Sequence, residues 1–129
     1  MIKERKTMKT QSQNYIKDGH PHSCGFMSDV EEGIDDALLQ DLPDYEQSIV
    51  LEWIENAFIP GKCFNHKHTS YGLKHILHGD TNIYLSNNQF KDAMLIMGYK
   101  PKDESELNWI FNISHNSPLF RRKRKKGGN

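Results

Sequence analysis

The residues best suited to chemistry are a cysteine and histidines in the middle of the chain. Cys63, His66 and His68 follow the pattern C-x-x-H-x-H, and a second three-ligand pattern, H-x-H-x-C, occupies positions 20–24. Thiolate and imidazole are preferred zinc ligands, but structural zinc sites hold four ligands at recognisable spacings. Neither pattern has the spacing of a standard zinc finger. We therefore expect surface histidines and no cofactor, with Cys63, His66 and His68 as the ligands that zinc would take.

A second interpretation of the same region is a metal-independent ribonuclease. His75 is next to Lys74 in the sequence and close to Ser70 and Tyr71. His75 could transfer a proton, and Lys74 could stabilise the charge on a phosphate. His66 or a neighbouring histidine would be the second proton-transfer group. Adjacent residues on a helix do not face each other, so the spacing does not assemble a site. We expect a binding protein rather than an enzyme, with ribonuclease activity as an open alternative.

The strongest local pattern is a capped helix between Ile83 and Tyr99. Ser86 and Gln89 form a capping box, and Gly98 ends the helix where a left-handed residue is favoured. One face carries four apolar residues at helical spacing, Phe90, Ala93, Met94 and Met97. The opposite face carries polar residues, Asn87, Asn88, Lys91 and Asp92. This arrangement predicts a solvent-exposed polar face, as a recognition helix would have.

Two further helices and a strand complete the predicted domain. Asp44 and Gln47 indicate a helix start, and the helix stops at Pro60-Gly61. Thr69 predicts the cap of a second helix that ends near His78. Residues 107–113 alternate as a half-buried strand after a charged turn at 100–106. We therefore predict a flexible segment at 1–42, a folded domain at 43–116 and a disordered basic tail at 117–129.

The order of these elements, with the stretch SNNQFKDAMLIMGYKPKDESELNWIFNI, resembles the winged-helix module at the C-terminal end of satellite-phage and poxvirus primase-helicases. Phe90, Gly98-Tyr99 and Trp109 match the positions that carry this pattern. The resemblance implies an α+β fold: three helices in a winged-helix (helix-turn-helix) arrangement, a short β-hairpin and flexible tails. The stretches SYGLKH and NNQFKDAML separately resemble small phage and plasmid proteins of Gram-positive bacteria. The ATPase motif G-x-x-x-x-G-K-[ST] is absent from the sequence, so helicase activity is not implied.

A winged helix implies nucleic-acid binding, with DNA favoured over RNA. Its third helix would enter the major groove, where Asn87 and Asn88 would read adenine edges. Seven cations would contact phosphate: Lys91, Lys74, Lys67, Arg121, Arg122, Lys123 and Arg124. Tyr71 and Tyr84 have no clear structural role and would be available to stack on a base. On this interpretation the protein acts in replication or regulation of a mobile element, without catalysis.

An acidic turn favours an alternative, a protein-binding module. Asp103, Glu104 and Glu106 would repel phosphate where DNA-binding wings carry cations, and acidic residues also dominate positions 29–46. Such a module would inhibit a host nucleic-acid enzyme, as anti-defence and anti-CRISPR proteins do. Lys plus Arg and Asp plus Glu each number 17, so net charge does not choose between the partners. Two cysteines and no long apolar run lead us to expect a cytoplasmic protein without a membrane partner.

Overall fold

The computed structural model describes residues 14–23 and 35–127, with side chains through Arg122 except that of Ser23. These residues form strands β1 (Asn14–Lys17) and β2 (His20–Ser23), a 3-10 turn (Leu39–Asp41), and helices α1 (Asp44–Ala57), α2 (Ser70–Thr81), α3 (Asn87–Ile96) and α4 (Pro118–Gly127). The described fold is therefore α+β, with four helices and one antiparallel hairpin. No helix among these residues is long and apolar enough to cross a membrane.

The ends of α2 and α3 follow from their capping residues. The Thr69 hydroxyl accepts a hydrogen bond from the N–H of Gly72, which places the start of α2 as predicted. The predicted capping box of Ser86 and Gln89 is confirmed at α3. Gly98, at φ 94°, ends α3 in a Schellman motif, in which the N–H of Tyr99 donates to the carbonyl of Met94.

The core lies where α1, α2 and α3 meet the chain that follows α3. Phe90 and Trp109, predicted to be buried, have no exposed surface. Phe111 links them, because its ring lies 6.4 Å from Phe90 and 5.9 Å from Trp109, both in edge-to-face contact. Val50, Ile54, Leu73 and Leu77 close the core from α1 and α2.

Residues 109–113 pass through the core and form hydrogen bonds with the chain segments on both sides of them. The carbonyl of Phe111 accepts from the N–H of Asn65, and the carbonyl of Ile110 accepts from the N–H of Lys102. Their regular pairing is limited to isolated bridges, Pro101 with Phe111 and Pro60 with Ile113. The hairpin of this fold is instead β1–β2, at the other end of the chain, with the register Asn14 to Ser23.

Parts of the segment predicted to be flexible lie against α3. Strand β2 packs on α3, and the 3-10 turn packs on both α1 and α3. Asp18 and Gly19 form the hairpin turn with φ of 56° and 81°, as an Asp-Gly turn favours. These contacts cover the polar face of α3, so the prediction that this face is solvent-exposed is wrong.

The start of the segment predicted to be a disordered tail is also packed. Helix α4 begins at Pro118, and the side chain of Ser117 accepts a hydrogen bond from the N–H of Ile59. Leu119 and Phe120 are buried, and Phe120 lies against Phe58 of the core. Burial of these two apolar residues explains why α4 is anchored here.

Candidate nucleic-acid interface

The predicted base reader Asn88 is enclosed by the N-terminal part of the chain. Its side chain is 2% exposed, and its Nδ2 donates to the carbonyls of Pro21 (2.8 Å) and Ala37 (2.9 Å). Asn87 is half-buried, and its amide is used inside the domain as well. The oxygen accepts from Ser70 and the nitrogen donates to Leu107 and Asn108. Both amides are therefore engaged within the domain, and neither is available to read a base in this structure.

The predicted phosphate contact Lys91 is buried too. It is 2% exposed, and its ammonium group lies 4.6 Å from the centre of the Trp109 ring. Burial lowers the pKa of Lys91 to about 8, although the carboxylate of Asp35 acts in the opposite direction. The structure therefore gives Lys91 a place in the interior and leaves the polar face of α3 without a surface cation.

Two other predicted residues, Tyr71 and Tyr84, do reach the surface, and both rings lie next to Lys74. Lys74 on α2 holds its ammonium group 5.1 Å from the centre of the Tyr71 ring and 4.9 Å from that of Tyr84. Lys74 itself is only 5% exposed, whereas Tyr71 is 52% exposed and Tyr84 is 63% exposed. Two aromatic surfaces thus flank one cation.

Two histidines extend this group along α2. His75 meets the Tyr71 ring edge-on at 4.5 Å, and His78 meets the Tyr84 ring edge-on at 5.8 Å. Both imidazoles belong to exposed residues. We call the five residues the Lys74 cluster: Tyr71, Lys74, His75, His78 and Tyr84. It offers aromatic rings and hydrogen-bonding nitrogens at the surface, next to the ammonium group of the almost buried Lys74.

The charge balance of the cluster includes one carboxylate. Burial lowers the pKa of Lys74, and the negative charge of Asp35 partly opposes that shift. Asp35 also accepts a hydrogen bond at 2.9 Å from the N–H of Asn88, in the first turn of α3, where a negative charge is favoured. The sequence does not single out Asp35 for a site, because it is one of many acidic residues between positions 29 and 46.

Of the other predicted phosphate contacts, Lys67 and Arg121 are exposed. Arg122 is paired with Asp80, whose carboxylate also accepts from the indole N–H of Trp53. The side chains of Lys123 and Arg124 lie outside the described residues, although the backbone of both belongs to α4. Lys67 and Arg121 are therefore open to a ligand, whereas Arg122 would have to share its charge with Asp80.

The histidines proposed for zinc or for ribonuclease chemistry are separated by their contacts. The ammonium group of Lys102 donates to His66 Nε2 at 2.9 Å, and His68 stacks on the Phe120 ring at 4.3 Å. Cys63 is exposed. Ser70 is buried and bonded to Asn87, away from solvent. Within residues 14–23 and 35–127, no three His, Cys, Asp or Glu side chains converge in a geometry that would hold a metal ion.

Comparison with known proteins gives no match to this chain among protein-family models, curated proteins or solved structures.

Proposed function

We propose that this protein binds nucleic acid without catalysing a reaction, and that the Lys74 cluster is the contact surface. The observation that carries the proposal is the pair of exposed tyrosines on either side of Lys74. Proteins that bind single strands commonly combine aromatic rings, which stack on bases, with cations, which neutralise phosphate.

The geometry favours unpaired bases over an intact duplex. The ring faces of Tyr71 and Tyr84 can stack only on bases that are not already stacked in a helix. The ammonium group of Lys74 is held between the rings, so a phosphate that reaches it brings its own base next to an aromatic surface. His75 and His78 add nitrogens that can bond to phosphate or to a base edge.

The winged-helix arrangement and the mobile-element setting form part of the same proposal. Helices α1, α2 and α3, followed by the bridged stretch between Pro101 and Phe111, run in the order of a winged helix. In this version the surface of α2 takes the role that α3 plays in duplex recognition, because α3 is covered by the N-terminal part of the chain. DNA remains the favoured nucleic acid, in single-stranded form.

Fluorescence anisotropy with the full chain tests this function. The probes are one labelled single-stranded DNA, the RNA of the same sequence and the corresponding DNA duplex, each titrated at ~50 and ~200 mM salt. We expect both single strands to bind more tightly than the duplex, DNA at least as tightly as RNA, and all affinities to fall with salt. Absence of binding to every probe at the lower salt would overturn the proposal.

A further inference from the structure

The first residues of α2 and α3 are bonded to each other, and each helix carries one lysine a turn further on. Ser70 Oγ donates to Asn87 Oδ1 at 2.7 Å. Lys74 follows Ser70 by four residues, so it lies on the same face of α2. Lys91 follows Asn87 by four residues, so it lies on the same face of α3. Both lysines therefore lie beside the junction of the two helices.

Both ammonium groups belong to almost fully buried residues. Lys74 is 5% exposed and Lys91 is 2% exposed. Within the part of the chain whose side chains are described, neither ammonium group makes an ion pair or a hydrogen bond, and the close contacts of both are with aromatic rings. A cation removed from water without an acceptor is costly, and an anion bound next to it would offset that cost.

An internal anion lies near both cations, at the start of α3. The carboxylate of Asp35 accepts from the N–H of Asn88 at 2.9 Å, in the first turn of the helix, and from the N–H of Ala37 at 3.4 Å. Burial lowers the pKa of Lys74 and of Lys91, and in each case the negative charge of Asp35 acts in the opposite direction. The carboxylate is therefore close enough to act on both ammonium groups, although it forms an ion pair with neither.

We propose that the start of α3, together with Lys74 and Lys91, binds the terminal phosphate of a nucleic-acid single strand, and that Asp35 holds this place while no strand is bound. The inference rests on the proposed function, because Tyr71 and Tyr84 would stack on the bases next to that phosphate. A phosphate in the place of the Asp35 carboxylate would keep the N–H donors and would lie as near to both ammonium groups as the carboxylate does now.

Charge and access both favour a terminal phosphate over a phosphate inside a strand. A terminal phosphate carries a charge of about −1.5 to −2 at neutral pH, which matches two ammonium groups, whereas an internal phosphodiester carries one charge. An internal phosphate also has a nucleoside on each side, which hinders its approach to the almost buried Lys74 and Lys91. A phosphate at a strand end has one free side, and its only nucleoside can remain outside, on the exposed tyrosine rings.

The test is fluorescence anisotropy with the full chain and three single-stranded DNA probes of one sequence, each labelled at an internal base. One probe carries a 5′ phosphate, one carries a 3′ phosphate and one has a hydroxyl group at both ends. At ~50 mM salt, we expect one of the phosphorylated probes to bind at least about fivefold more tightly than the hydroxyl probe. We call the ratio of these two dissociation constants the phosphate preference.

Lysine variants test the cations of the site. Lys91→Met and Lys74→Met should each reduce the phosphate preference to less than about twofold, because each removes one of the two ammonium groups. Lys62→Met is the matched control, since Lys62 is an exposed lysine outside the site and its loss should leave the preference unchanged. A preference that survives both Lys91→Met and Lys74→Met would overturn the proposal.

An acid variant tests the internal anion. Asp35→Asn removes the competing charge and keeps an oxygen that can accept from the N–H of Asn88, so it should raise the phosphate preference above that of the wild type. Asp36→Asn is the matched control, because Asp36 is the neighbouring acid and its carboxylate lies 3.8 Å from His22 instead. An equal effect of the two substitutions would show that only the overall charge matters and would contradict a place held by Asp35.

The remaining outcomes separate this inference from the function on which it rests. Circular dichroism identifies the folded variants, and either site lysine suffices if the other variant unfolds. Equal affinity for the phosphorylated and hydroxyl probes would overturn the terminal-phosphate site and leave the proposed function standing, whereas absence of binding to every probe would overturn both. Competition by inorganic phosphate or by a phosphoserine peptide that matches the unlabelled phosphorylated strand would assign the site to a free anion or to a phosphoprotein, and would contradict a strand end.

Discussion

The ammonium group of Lys91 lies 4.6 Å from the centre of the Trp109 ring, inside the domain, where both side chains are almost fully buried. A lysine in this position loses its hydration. Among the described residues, the Trp109 ring and the negative charge of Asp35 partly offset that loss. The same residue would have faced solvent if α3 were the exposed recognition helix. Its position against Trp109 removes it from the surface that a recognition helix would present.

The pKa of Lys91, lowered from 10.5 to about 8, predicts a pH-dependent stability. Between these values the unfolded chain binds a proton that the folded protein does not, so the free energy of unfolding should rise with pH. At 1.36 kcal/mol per pKa unit the full rise is about 3 kcal/mol, of which about 2 kcal/mol falls between pH 7.5 and 9.5. Urea unfolding at pH 7.5, 8.5 and 9.5 checks this, with Lys91→Met as a control that lacks the group. Parallel pH profiles for the two proteins would contradict the prediction.

Phe90 should be essential for the core. Phe90→Ala removes a side chain with no exposed surface and leaves a cavity beside Phe111, which should cost about 3–5 kcal/mol. Tyr45→Ala, at an aromatic residue of α1 that is 66% exposed, is the matched control and should change stability by less than ~0.5 kcal/mol. Chemical denaturation of both variants measures the difference. Similar midpoints for the two would place the core elsewhere.

The basic end of the chain should add affinity without sequence preference. Truncation after Arg122 keeps the buried Leu119 and Phe120 and removes four cations, Lys123, Arg124, Lys125 and Lys126. Each phosphate contact contributes roughly 0.7 to the salt slope on a single strand, so the slope should fall by up to about 3. Anisotropy titrations over a salt series measure it. An unchanged slope would show that the tail makes no phosphate contact.

Lys74 should act through its charge. Lys74→Met keeps an unbranched side chain between Tyr71 and Tyr84 but removes the cation, so affinity for a single strand should fall and the salt slope should decrease by roughly 0.7. Lys74→Arg retains the charge and should retain most of the affinity. If both substitutions reduce affinity equally, the role of Lys74 is packing of the rings rather than contact with phosphate.

Local sequence signals predicted the three central helices well, because caps and apolar periodicity act within a few residues. Thr69, Ser86 and Gly98 all have the roles that their residue types indicate. Two further local signals of this kind mark elements outside the predicted domain. Asp18-Gly19 is a strong hairpin turn, and Ser117-Pro118 is a typical helix start, and both mark elements of the structure.

What covers the polar face of α3 could not be predicted in the same way. The bonds from Asn88 to Asp35 and from Leu39 to Asp92 each join residues 53 positions apart. An amphipathic pattern shows that one face is polar, but not whether solvent or a distant segment lies on it. The same limit applies to the site. The sequence marks Lys74, Tyr71 and Tyr84 as separate candidate contacts, but their proximity depends on how α2 packs beside residues 82–86.

The most direct test of nucleic-acid binding by the Lys74 cluster is the affinity of a Tyr71→Ala/Tyr84→Ala protein for a labelled single-stranded DNA. Stacking contributes roughly 1–3 kcal/mol per base, so we expect at least a tenfold loss relative to wild type and a smaller loss for the corresponding duplex. Tyr45→Ala, which removes an equally exposed tyrosine from α1, should bind as the wild type does. Wild-type affinity in the double variant, at a salt concentration where the wild type binds, would contradict the proposed interface.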